Sequence, residues 1–108
     1  MNPPPSPPQT YQLFLKRYPK IGQAWEMLSA AGKEGPLDEK TARLLKLAIA
    51  IGAMREGAVH SNVRKALAMG ITRAEIEQVV ALAAGTLGLP SAVAVFSWIA
   101  DEFPKSKS

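Results

Sequence analysis

No cysteine occurs among the 108 residues. That absence removes disulfides, thiolate zinc sites, iron–sulfur clusters and any peroxidase relay built on a thiol. Histidine occurs once, as His60. A metal would therefore have to rest on carboxylates, and these follow neither a calcium loop nor a two-carboxylate, two-histidine cage, so no metal and no cofactor is expected. Aromatic residues make up 6% of the chain, and none interleaves with the basic residues as a base-stacking platform requires. The net charge of +4 is thus compatible with acidic small molecules, and nucleic acid is not an expected partner. Met1–Pro8 lacks the apolar core of a secretory signal, so a cytoplasmic location is the default. Gly85, Gly88 and Pro90 follow a helical pattern rather than a strand and have no phosphate-loop lysine beside them, which leaves nucleotide binding without support.

What is present is a hydrophobic fraction of 47% beside 20% charged residues, the balance of one ordinary globular domain. Five of the nine prolines lie in residues 1–9, a proline-rich leader whose fixed backbone and missing donors exclude a helix. Residues 10–108 are expected to form a single helical domain. Tyr11, Phe14, Leu15 and Tyr18 recur at helical spacing until Pro19, and Ile21, Ala24, Trp25 and Leu28 mark a second helix before the Gly35-Pro36 turn. Asp38 is placed to cap a third helix, with Glu39 in its first turn. That helix carries apolar residues from Leu44 to Met54 around nearly its whole circumference, yet it is too short to span a bilayer and holds Lys46, so it reads as a buried core helix. Gly57 is a candidate break before a fourth helix, which ends at Met69-Gly70. Thr72-Arg73-Ala74-Glu75 has the form of a capping box opening a fifth helix toward Gly85. Pro90 suits the first turn of a last helix, Ala92 to Phe103, closed by Pro104. No strand candidate emerges, and the fold class is all-α with five or six helices. Three helices are apolar on more than one face, more than a chain of this length can cover by itself. A homo-oligomer follows as an expectation.

The densest polar constellation is Glu56, His60 and Arg64, spaced i, i+4, i+8, with Arg55 and Ser61 beside it. Glu56 could orient the imidazole or raise its pKa, leaving His60 as a general acid or base, while Arg55 or Arg64 forks onto a carboxylate. The same spacing also describes a surface salt-bridge ladder at a subunit contact. Arg55, Glu56 and His60 are the candidate catalytic residues. Arg43 and Lys46, at the entry to the third helix, either meet an anion or, for Lys46, extend to solvent.

The order of the segments Tyr18-Pro19, Leu37-Asp38-Glu39-Lys40-Thr41, Leu44 to Ala50, His60 to Gly70, Thr72 to Ile76 and Gly88 to Ala92 resembles the carboxymuconolactone decarboxylase and alkylhydroperoxidase D family over about residues 18–102. The resemblance implies an all-α fold that assembles as homotrimers or homohexamers with sites near subunit contacts. The family's peroxidase branch has a Cys-x-x-Cys pair, a histidine and a relay glutamate. Anchored on Val63 to Leu67, those positions fall on Arg55, Ala58, Asn62 and Arg43, all replaced. The decarboxylase branch is similar at Arg55-Glu56, but its histidine falls on Asn62, two residues beyond His60. The reading is a family member without thiol chemistry that binds or processes a small anionic metabolite. The alternatives are a cofactor-independent lyase acting on a carboxylated lactone and a non-catalytic oligomeric interaction protein.

Overall fold

Pro19, whose fixed φ and missing amide donor suit a first helical turn, separates α1 (Gln9–Arg17) from α2 (Pro19–Ala31). The computed structural model describes residues 9–104. The proline-rich leader, apart from Gln9 in the first turn of α1, and the Lys105/Lys107 tail lie outside the described residues. Those described divide into two compact units, residues 9–37 and 38–104.

The first unit holds α1 and α2. The Phe14 and Tyr18 rings pack one turn apart at a tilt of 53°, with centroids 5.5 Å apart, and Leu15 lies 3.6 Å from where a side chain on Gly22 would begin. Neither helix buries a residue.

The second unit is a ring of four helices: α3 (Glu39–Gly52), α4 (Glu56–Ala68), α5 (Arg73–Leu87) and α6 (Leu89–Ala100). α3 packs on α4 and α5, and α6 closes the ring against the same two helices. Leu47, Ile51, Val59, Val63, Ile76, Val80, Val95 and Ile99 meet at its centre. They fall in i, i+4 pairs along their helices, and burial of those rows drives the packing. No strand occurs among the described residues.

Local chemistry sets most helix ends. The Asp38 carboxylate accepts from the Thr41 amide at 3.3 Å, and Thr72 and Glu75 exchange side-chain and backbone hydrogen bonds in a complete capping box. Gly70 and Gly88 adopt φ of 84° and 87°, left-handed conformations that end α4 and α5 without a Cβ clash.

Three expectations need correction. Gly57 is not a break: α4 begins at Glu56 and runs through it, because the chain already reverses at Ala53–Arg55, where Met54 takes φ of 55°. The last helix spans Leu89–Ala100 rather than Ala92 to Phe103. Pro90 sits in its first turn, and beyond Ala100 the chain turns so that Phe103 enters the core. Nor is α3 surrounded within one chain. Leu47, Ala50 and Ile51 are buried, but Leu45 is exposed and Ile49 is 70% exposed.

Candidate functional site

α4 has three faces at 100° per residue. Val59, Val63 and Ala66 form the buried one. Glu56, His60 and Arg64 lie along one flank, and Ala58, Asn62 and Lys65 along the opposite flank.

On the first flank the structure joins Glu56, His60 and Arg64 through Glu102, a residue sequence reasoning missed. His60 Nδ1 lies 2.6 Å from Glu102 Oε2, and its Nε2 lies 3.2 Å from Glu56 Oε2. Arg64 Nη1 donates to the same Glu102 oxygen at 3.2 Å. The side chains of His60 and Glu102 are only 19% and 17% exposed, whereas Glu56 is open to solvent. Burial alone pushes the imidazole pKa down, but the hydrogen bonds and charges of Glu102 and Glu56 together outweigh it and hold the pKa above its ordinary 6.5. A carboxylate on each ring nitrogen favours the imidazolium, the form in which both nitrogens donate. It could deliver a proton only from Nε2, after the exposed Glu56 swings away.

Arg55 stands apart from this network. It is exposed at the N-cap of α4, where no side chain caps the helix, and it makes no ion pair. The first amides of α4 and the Arg55 guanidinium therefore present positive charge to solvent, partly offset by Glu56 in the first turn. α4 runs through Gly57 without a break, so no backbone bend there brings Arg55 toward His60.

On the second flank Asn62 Nδ2 donates to the Ala58 carbonyl at 2.9 Å, which turns Oδ1 toward α3 to accept from Arg43 Nη1 at 2.8 Å. Arg43 shares its row on α3 with the buried Leu47 and Ala50, so its guanidinium is half-buried, and its Nε is sealed from solvent with no acceptor. Such an orphaned donor costs about 1–3 kcal/mol. Lys65 beside it has its pKa pushed down, first by burial and then by the Arg43, Lys46 and Arg64 cations.

A cavity of about 540 Å³ opens between α3 and α5, lined mainly by Leu44, Leu45, Ala48, Val79, Leu82 and Ala83. None of Arg55, Glu56 and His60 reaches it, and Glu75 on its wall is engaged by Lys40 and Thr72. Among the described residues no group of His, Asp or Glu side chains is arranged to hold a metal ion. None of their helices is long and apolar enough to cross a membrane.

Residues 19–101 match the Carboxymuconolactone decarboxylase family, and the chain belongs to that family. Among solved structures, it is similar to a carboxymuconolactone decarboxylase family protein from Legionella pneumophila, with a TM-score of 0.74, 27% sequence identity and coverage of 86% of each chain. No curated protein sequence matches. The positions at which the resemblance puts a relay glutamate and a histidine, Arg43 and Asn62, face each other and share a hydrogen bond. That pairing cannot relay a proton as a glutamate and histidine do, because arginine holds its proton and the amide does not titrate.

Proposed function

We propose that this family member binds or processes a small anionic metabolite at the start of α4, with no thiol chemistry. The observation that carries the reading is Arg55, an exposed, unpaired guanidinium at an uncapped helix N-terminus. A carboxylate there accepts from the helix amides and from the arginine fork together. The His60 imidazolium is one turn further along the same helix and could supply a proton once Glu56 is displaced. The lyase alternative takes that route: Arg55 holds a carboxylate of the lactone, and Glu56 and His60 handle protons.

The test is Arg55→Ala. Binding of small carboxylates measured by calorimetry is expected to fall at least tenfold, with the assembly state unchanged. Loss of assembly with unaltered anion affinity would instead make Arg55 a subunit-contact residue.

A second reading, an oligomeric interaction protein, is favoured by a separate observation. Ile49, Leu82 and Leu89 are each at least 70% exposed, and the α3–α5 cavity between Leu45 and Leu82 is apolar. The partner that covers such surface is a further copy of this chain in a homotrimer or homohexamer.

A further inference from the structure

The flank of α4 opposite His60 carries a charge imbalance that neither the fold nor the Arg55 reading uses. Arg43 occupies a core-facing row of α3, and its one hydrogen-bond partner is the neutral Asn62 amide. Lys46, one turn further along α3, and Lys65, one turn beyond Asn62 on α4, border the same seam, and neither makes an ion pair. Of the carboxylates nearby, Glu102 is engaged by His60 and Arg64, Glu56 by His60 and Glu75 by Lys40, and Glu39, one turn before Arg43 on α3, is exposed and makes no ion pair with these cations. Three cations thus share one helix seam without an ion-paired carboxylate, and the fold holds Arg43 there against both desolvation and repulsion.

The guanidinium shows which group is missing. Its Nη1 end is taken by Asn62, while Nε is buried and unpartnered. Nε and Nη2 form the edge that binds an oxyanion side-on through two parallel hydrogen bonds. Arg43 as a whole is only half-buried, so a ligand arriving between the exposed lysines reaches that edge when the side chain rotates outward. Two lysine ammonium groups then neutralise a second negative charge, which monovalent anions lack.

We propose that Arg43, Asn62, Lys46 and Lys65 form a binding site in the α3–α4 seam for a small dianionic oxyanion, the charge class shared by dicarboxylates and phosphate. Arg43 takes one oxygen pair side-on, Asn62 holds the guanidinium in register, and the lysines meet the remaining charge. This site does not depend on Arg55, which lies at the far end of α4 from Lys65.

The experiment follows the Arg43 Nε–H resonance by NMR in the full chain, assigned by its loss in Arg43→Met. Succinate and inorganic phosphate are titrated separately at constant ionic strength, with chloride as the control. A saturable shift with succinate, phosphate or both, unseen with chloride, supports the site, and the probe that binds more tightly identifies the source of the dianion. The exposed-residue double variant Lys46→Gln/Lys65→Gln should weaken that binding at least tenfold without loss of fold, and Arg55→Ala should leave it unchanged. A shift that stays linear with both probes, or that matches chloride, overturns the proposal. So does an undiminished affinity in the double lysine variant.

Discussion

At the scale of single residues, Glu102 matters most to the polar chemistry of α4. Its one carboxylate oxygen receives both His60 and Arg64, which ties the turn after α6 to α4. Removing its charge in Glu102→Gln is expected to cost about 1–2 kcal/mol in urea unfolding near pH 6, the range for hydrogen bonds to charged groups in a partly exposed setting. The pH dependence has a definite sign. His60 has a raised pKa in the folded chain, so its contribution is complete below its ordinary value of 6.5 and is lost as pH rises through the folded value. The gap between the wild type and Glu102→Gln should therefore narrow as pH rises from 6 to above that value. It should not vanish, because Arg64 keeps its charge and its bond. A gap that stays constant with pH would mean that His60 is neutral in the folded protein. Glu75 behaves in the opposite sense. Its contact with Lys40 and its bond from the Thr72 amide lower its pKa to about 2, so its stabilisation is present above its ordinary 4.5 and is lost only as pH falls toward 2. The Glu56–His60–Arg64 stripe is legible in the sequence because i, i+4 spacing is local. Glu102 is not, since it lies 42 residues from His60 and only the return of the chain after α6 brings them together. Arg43 and Asn62, 19 residues apart, meet through the α3–α4 register, which no spacing rule reveals.

At the scale of elements, the sequence is most informative where one residue's side chain serves its own helix end. Asp38 with Thr41 and Thr72 with Glu75 are i, i+3 chemistry, and both caps stand where the residues place them. Glycine is ambiguous by comparison, because the letter does not say whether its freedom is used. Gly70 uses it, at φ of 84°, whereas Gly57 sits inside α4 with ordinary helical geometry and the chain reversal falls on Met54 instead. Alanine substitution separates the two cases. No atom lies within 4 Å of a side chain begun at either glycine, so packing is not at issue and only the backbone responds. Gly70→Ala should destabilise by about 1–2 kcal/mol, the cost of forcing an L-residue into the left-handed region. Gly57→Ala should stabilise by about 0.4–1 kcal/mol through the reduced freedom of the unfolded chain. Urea midpoints for the pair would decide it, and a destabilised Gly57→Ala would restore the break that the structure denies.

At the scale of the whole molecule, the self-association expected from composition rests on apolar side chains that the four-helix unit leaves exposed. α3, α5 and α6 each pack one apolar row inward and keep another outside. Ile49, Leu82, Leu89, Val93 and Phe96 are all exposed, and Leu45 and Leu82 flank the apolar α3–α5 cavity. Covering such side chains contributes roughly 1–2 kcal/mol each after allowance for their partial burial. Several at one contact are needed to offset the 4–15 kcal/mol that association costs in lost freedom. A pair of substitutions should therefore suffice to undo the contact. Light scattering with size exclusion is expected to give a trimer or hexamer for the wild type at micromolar concentration. Ile49→Asp combined with Leu82→Asp should shift it to monomer while leaving the helical circular dichroism intact, since neither side chain belongs to the core that unites Leu47, Ile76 and Val95. A wild-type chain that stays monomeric at those concentrations would sink the self-association reading. The exposed rows would then need a different partner, and the anion sites on α4 would have to work within a single copy.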